Sequence, residues 1–492
     1  MLSPRSRTLA CAVLVGAIAW AQFFMWREHP RTPFWDENYY VTSAQRYLEG
    51  TAQFSVHPPL GLMLIAAGEA LLGDNRELQL QNVAAQKRVS GKELPSGYSF
   101  RGVRLFPAMF AAASAVLFFA ILLRLTQRRM VALAFSCLYL FENAFIAHLS
   151  AAHLDAFLVF FALGAVLCAI LRVQSPLSPN RWVITLFGAC IGLAAMVKVS
   201  GLLLAVLAFW MIRKPASTEG PGGLTGTWRL DLGAASRILF GMLSVMVMVM
   251  TAHALMSHQP PDPMSRAGHK DLPFISQTHL DYLRGSAELT PTVLVHVTAD
   301  YVRFMHAEHE GIPQGGPGTS RALLWPLHVG TINYRWDKSG DKTRYVQLAG
   351  NVVNWAVGLA ALTFCALLSS FRGLRSSSAA GEDEHLEVMK MLLVAYLVQM
   401  AFHLWLEAER AVYLYHYFVP LLLTYTMAPL AWRRVAEGLH IGQTAGKVGL
   451  LVLVAASVAM SSFIWPLNRH EPLTKTECEK RNFLMTMVKC RK

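Results

Sequence analysis

Residues 34–61 read FWDENYYVTSAQRYLEGTAQFSVHPPLG. An adjacent acid pair, Asp36 and Glu37, stands among Phe34, Trp35, Tyr39 and Tyr40, and a His-Pro-Pro-Leu-Gly turn follows some twenty residues later. The stretch begins just beyond the first apolar run of the chain, about residues 9–26. Aromatic side chains are ordinary at a lipid–water boundary. Two carboxylates among them are not, because desolvating them costs free energy unless something compensates. On these residues alone, a solvated loop with incidental acids and a carboxylate acting at the membrane surface both fit.

The rest of the chain supplies the setting. Of its 492 residues, 54% are hydrophobic and only 15% charged, with a mean hydropathy of +0.36. A soluble domain carries nearer a quarter charged residues. The net charge of +13 does not form one basic patch, which argues against nucleic-acid binding. The basic residues sit in short clusters between apolar runs, as in cytoplasmic loops. Eleven spans are expected, near 9–26, 104–123, 130–147, 153–171, 182–197, 199–212, 237–256, 346–370, 389–406, 411–431 and 446–465. The first has no small-residue cleavage site and reads as an uncleaved anchor.

The connections RLTQRR (124–129), RVQSPLSPNR (172–181), FRGLR (371–375) and WRR (432–434) fall on the side of the N-terminus, which makes that side cytoplasmic. The Gly/Pro/Ser-rich stretch 215–226 reads as a flexible linker on the same side. Two long segments, 27–103 and 257–345, and the tail from about 466 then lie outside. The chain divides accordingly into an N-terminal module (1–256), an outer loop (257–345) and C-terminal spans with a short tail (346–492). Cys478 and Cys490 share the outer compartment, where a disulfide can persist; paired and free thiols both remain open.

Polar groups at span edges collect on that outer side. Pro58 and Pro59 open an apolar helix too short to span, which would hold His57 near the acid pair. Arg104 opens the second span; an arginine there either snorkels to the interface or offers a fixed guanidinium to an anionic lipid-linked phosphate. Lys198 lies in the tight turn between two spans. Glu142, Asn143, His153 and Asp155 surround another outer turn, and Tyr413, Tyr415, His416 and Tyr417 another. His296, His306 and His309 match no metal-ligand spacing, so a divalent metal is not indicated.

In this order the motifs resemble one family, the protein O-mannosyltransferases. The resemblance rests on the opening stretch, RLFPA (104–108), ENAFIAHLSAAHLDAFLVFF (142–161), GLAAMVKVSGLL (192–203), YVRFMHAEHEGI (301–312), SRALLWPL (320–327), LAGNVVNW (348–355) and YLYHYFVPLL (413–422). It implies an all-α polytopic membrane protein of the GT-C fold, embedded in a lipid bilayer. It further implies transfer of mannose from a polyprenyl-phosphate carrier to Ser or Thr hydroxyls of extracytoplasmic proteins. Asp36 matches the family's catalytic acid and Glu37 its neighbour; Arg104 matches the arginine assigned to the donor phosphate. His57, Lys198 and the Tyr415-His416 motif match recurring positions. Leu62 stands where the family usually has Lys, and Ser150 where it has Arg. The lumenal domain of eukaryotic members has no room in 257–345, which points to a bacterial inner-membrane member.

A hydroxyl is a weak nucleophile near neutral pH, so a carboxylate must accept its proton, a role that falls to Asp36. The leaving lipid phosphate needs fixed cations, Arg104 first and Lys198 second. One base and direct displacement imply inversion at the anomeric carbon. Two rivals stand: a related transferase acting on a lipid or polysaccharide, as the aminoarabinose transferases do, although these more often read KPPL; and a lipid-linked sugar transporter, which would more often show related halves and broken helices mid-membrane.

Overall fold

The structure, a computed structural model, describes residues 3–175, 180–215, 228–370, 380–482 and 490. Most of the stretch read as a cytoplasmic linker and the FRGLR connection fall outside these residues. Apolar runs become helices where local caps start them. Asn180 accepts from the Trp182 N–H at 3.0 Å and Asp231 from the Ala234 N–H at 2.9 Å, each satisfying a donor that a helix start leaves open.

Among the described residues, seven helices are long and apolar enough to cross a bilayer: Arg5–Phe24, Leu105–Thr126, Asp155–Val173, Leu232–Met256, Val352–Ser370, Glu384–Glu409 and Gln443–Asn468. The pair Arg129–Leu140 and Asn143–Leu149, bent by 60°, makes an eighth if counted as one span. The protein is thus a multi-pass membrane protein. The other three segments expected to span are helical but fall short by length or composition. Arg181–Val197 has 17 residues, Val199–Met211 begins with a 3-10 run, and Phe418–Gly438 contains Pro420, Pro429, Arg433 and Arg434. Length and composition therefore support seven or eight spans rather than eleven.

The expectation of an all-helical chain is corrected at two places. Strands β1 (Arg213–Pro215) and β2 (Trp228–Leu230) pair antiparallel. Strands β3 (Ile332–Ser339) and β4 (Lys342–Leu348) form a hairpin whose turn begins at Gly340, with φ +64°, a conformation that glycine adopts without steric cost. Tail strand β5 (Pro472–Thr474) adds to β4, so the outer loop and the C-terminal tail form one small sheet instead of two separate parts. His470 reaches Asp337 across it at 2.7 Å. Cys478 and Cys490 are joined by a disulfide.

The two outer loops are also tied to each other. The Ala52 N–H donates to the Gln259 carbonyl at 2.9 Å, and the Tyr301 hydroxyl donates to the His57 carbonyl at 2.7 Å. The polar segment 74–102 is pinned down on the helix Glu37–Leu48. Val89 N–H donates to the Asn38 carbonyl at 2.9 Å, and Thr42 Oγ1 donates to the Lys87 carbonyl at 3.1 Å.

Inside the span bundle, the closest approach joins Arg181–Val197 to Leu232–Met256. Gly188 and Gly192, four residues apart in GACIG, lie on one face of the first helix. Small residues let backbones touch where lipid gives helices no hydrophobic reason to associate. A Cβ at Gly188 would meet the Ile238 carbonyl oxygen at 2.1 Å, and one at Gly241 the Thr185 carbonyl oxygen at 2.2 Å. Gly188→Val should therefore cost about 1–3 kcal/mol through overpacking. The measurement is thermal unfolding of the detergent-solubilised protein. Gly446→Ala is the control whose midpoint should not fall, since a Cβ there meets nothing within 4 Å and alanine favours the helix.

Candidate active site

The acid pair divides its labour. Glu37 is fully buried and accepts from Arg104 Nε and Nη2, both at 2.7 Å. Its oxygens also take the Phe34 N–H at 3.2 Å and the Ala152 N–H at 2.7 Å. Arg104, 1% exposed, gives its remaining donors to the carbonyls of Arg27, Pro30 and Thr32. A guanidinium has five N–H donors, and here all five are used inside the protein. A phosphate could reach Arg104 only by breaking a buried ion pair. The geometry thus gives Arg104 a positioning task in place of the donor-phosphate contact expected of it, and Glu37 a holding task in place of a reactive one.

Asp36 is the residue this clamp leaves free. It occupies the N-cap position of the helix Glu37–Leu48, where an aspartate side chain would ordinarily accept a backbone N–H, yet it makes no capping bond. Trp35 before it has φ +53°, a left-handed conformation that costs a non-glycine residue roughly 1–2 kcal/mol. Packing holds it there: the Trp35 ring lies 5.2 Å from Tyr334 and 5.3 Å from Tyr413. Such strain persists where the surroundings over-determine it, and here it aims the Asp36 carboxylate into a cavity. Burial pushes the Asp36 carboxyl up to about 6; Lys198 pulls it down, Asp155 pushes it up, and a hydrogen bond from Tyr415 pulls it down.

A second cluster stands beside it. Lys198 Nζ donates to both Asp155 oxygens at 2.8 Å, and His148 Nε2 lies 2.8 Å from Oδ2. His148 Nδ1 is 2.6 Å from the Tyr334 hydroxyl, and its ring stacks on Tyr415 at 4.8 Å. Lys198 Nζ sits 5.1 Å above the Tyr415 ring. His416 accepts the Tyr413 N–H at Nδ1, 3.1 Å away, which leaves its ring proton on Nε2 when neutral.

These groups line connected cavities. One of about 330 Å³ holds Asp36, Tyr40, His57, Arg410, Tyr415 and His416. Another of about 660 Å³ holds Lys198, His306 and His309, and shares His57, Arg410 and His416 with the first. A third, of about 720 Å³ and lined by Pro58, Met196, Leu202, Met246 and Leu294, is almost wholly apolar; it shares Val199, Val302 and Met305 with the second. His57 therefore stands between Asp36 and Lys198, and burial together with Lys198 holds its imidazole well below the usual histidine range.

Two expected site residues lie elsewhere. Glu142 accepts from the Asn351 N–H at 2.9 Å and the Tyr425 hydroxyl at 2.8 Å, while Asn143 donates to Asn468 Oδ1 at 3.0 Å. They knit the bent span to the C-terminal helices. The residue that sequence reading missed is Arg410, which lines two of the cavities and keeps its Nε buried with no partner. Its signal was a basic residue three positions before YLYHYF, easily read as an interfacial anchor. Among the described residues, no three His, Cys, Asp or Glu side chains converge as metal ligands.

Breaking a buried ion pair on one side leaves a charge without compensation, at a cost of about 3–5 kcal/mol. Glu37→Gln and Arg104→Met should each lower the thermal midpoint in detergent well beyond Asp36→Asn. Arg104→Lys should not restore it, because an ammonium cannot reproduce a five-donor planar fork.

The chain resembles known proteins over most of its length. Residues 13–214 match the family model described as dolichyl-phosphate-mannose-protein mannosyltransferase. Residues 300–487 match the C-terminal four TMM region of protein-O-mannosyltransferase. The chain is 28% identical over 177 residues to protein O-mannosyl-transferase 2 of Danio rerio, an alignment covering 35% of this chain and 22% of that protein. It is 30% identical over 190 residues to protein O-mannosyl-transferase 1 of Homo sapiens, covering 37% and 24%. The chain thus spans about a quarter of the length of these relatives. The solved Saccharomyces cerevisiae protein O-mannosyltransferase Pmt1-Pmt2 complex bound to the sugar donor superposes with a TM-score of 0.79 at 13% identity, over 98% of this chain and 92% of the other. An Archaeoglobus fulgidus oligosaccharyltransferase gives 0.52 at 11% identity, over 95% and 57%. At such identities the likeness bears on the fold. The architecture is of the GT-C type, and the chain belongs to the protein O-mannosyltransferase family.

Proposed function

We propose that this protein is an inverting glycosyltransferase that moves mannose from a polyprenyl-phosphate carrier to Ser or Thr hydroxyls of proteins on the outer side of the membrane. The observation that carries this reading is the Asp36 carboxylate, which follows the strained Trp35, makes no capping bond and opens on a cavity that continues to Lys198. The basic clusters on the N-terminal side support a cytoplasmic N-terminus, and the short outer loop a bacterial inner membrane.

In the reaction, Asp36 accepts the hydroxyl proton while the acceptor oxygen bonds to the anomeric carbon. The bond from that carbon to the phosphate oxygen breaks, and its electron pair leaves with the lipid phosphate. Lys198 and Arg410 are the cations placed to meet the charge that develops there. Lys198 keeps one N–H beyond the two it gives Asp155. Asp155 and His148 hold its ammonium in place. The apolar cavity beside Val199 and Met305 suits the carrier chain, and the neutral His57 between the two polar cavities suits a sugar hydroxyl.

The test is transfer from synthetic polyprenyl-phosphate-mannose to a Thr-containing peptide by the purified protein. Wild type should transfer with inversion, read from the anomeric coupling of the product. Asp36→Asn should lose transfer while still binding donor. Transfer with retention, or undiminished transfer by Asp36→Asn, would sink the scheme.

A base must be ionised to work, so the carboxyl at about 6 sets the acid limb. The kcat/KM of wild type should be level above that pH and fall as pH drops through it. Arg410→Gln should lower kcat by about 10²-fold, the usual scale for removing one charge-stabilising donor.

A further inference from the structure

The cavity at Asp36 has a second, cationic end. Asp36, Tyr40, Ser43 and Arg46 follow one another at spacings of three and four along the helix Glu37–Leu48, so one face of that helix lines the cavity from acid to base. At the far end, Arg46 Nη1 lies 3.2 Å from Asp271 Oδ2, and Lys87 Nζ bonds the other oxygen of the same carboxylate. Arg46 is 2% exposed, and its Nε is buried with no partner. The other carboxylate on the wall, Glu308, is not available to balance the set, being paired with Lys270 at 2.5 Å. Two cations therefore share one carboxylate, leaving one positive charge at the wall of a cavity. Burial, then Arg46, pulls the Lys87 ammonium down to about 8, as expected of a cation short of a counter-charge.

We propose that the Arg46–Lys87 end of this cavity is an acceptor subsite that binds an acidic side chain of the protein being modified. This rests on the reading of the acceptor as a protein hydroxyl. The donor side is separate, because the apolar cavity meets the Lys198 cavity and shares no lining residue with the one at Asp36. The spacing sets the register. Arg46 is ten residues along the helix from Asp36, a rise of about 15 Å. An extended peptide covers that distance in about four residues. The preferred acceptors thus carry Asp or Glu about four positions from the modified Ser or Thr. The wall is built to hold still: the Lys87 carbonyl is bonded to Thr42, and the Lys87 ammonium lies 4.7 Å above the Phe304 ring.

The experiment compares single-Thr peptides bearing Asp, Asn or Lys four residues to either side, with polyprenyl-phosphate-mannose as donor and the full-length protein. The Asp peptide should show a KM about tenfold below the Asn peptide for one of the two directions. Lys87→Gln, which keeps a hydrogen bond to Asp271 and drops the charge, should shrink that difference several-fold. Lys87→Glu should turn the preference toward the Lys peptide, an inversion that misfolding cannot produce. Equal KM for all peptides, or a preference unmoved by both variants, overturns the subsite. If, in a parallel assay, a polyprenyl-phosphate-linked uronic acid is favoured over the mannose donor while peptide charge has no effect, the anion belongs to the sugar and the acceptor assignment fails. Transfer to no peptide at all would overturn the proposed function along with it.

Discussion

Glu37 and Arg104 meet as a bidentate pair with almost no solvent contact, and each is saturated by further hydrogen bonds. Desolvating two charges is expensive, and only full coordination offsets it. That requirement reaches far along the chain. It gathers the carbonyls of residues 27, 30 and 32, the N–H of Phe34, the N–H of Ala152 and the start of the second span around one point. The outer turn before Asp155 and the end of the first outer loop are fixed by the same knot. Asp36, one residue away, inherits a defined position without spending its own oxygens on it.

Around that knot the chemistry is arranged by contrast. Asp155 is surrounded by donors, Lys198 and His148 above all, and serves as an anchor. Asp36 has few partners and a raised carboxyl, which suits a group that must take and release a proton near neutral pH. Lys198 stands on the other side of His57, in the cavity that meets the apolar one, and Arg410 lines both that cavity and the one at Asp36. An apolar cavity, a cationic one and the cavity at Asp36 thus adjoin one another in that order.

Much of the fold was legible in advance because it follows from a one-dimensional signal. Apolar runs of about 20 residues can only be satisfied as helices in a bilayer, and every run read from the sequence is helical. The short helix after His57 was legible too, since prolines act locally. The β3–β4 hairpin was missed although INYRWDKS alternates apolar and polar residues ahead of a turn at Gly340, whereas β5 becomes a strand only by pairing with residues more than a hundred positions earlier. Three of the eleven expected spans do not stand out by length and composition, one of them where Pro420, Pro429, Arg433 and Arg434 dilute an apolar stretch.

By itself the sequence determined the membrane setting and the order of the motifs, the acid pair among them, because composition and spacing are properties of neighbours along the chain. Only the tertiary structure decided which charges pair. Glu37 with Arg104, Asp155 with Lys198, and Asp271 with both Arg46 and Lys87 are separated by 67, 43, 225 and 184 residues. An arginine at a helix start looks the same in sequence whether it holds a phosphate or a neighbouring carboxylate. Its role follows from which counter-charge packing brings within hydrogen-bond reach, and in a low-dielectric interior that choice outweighs every local preference.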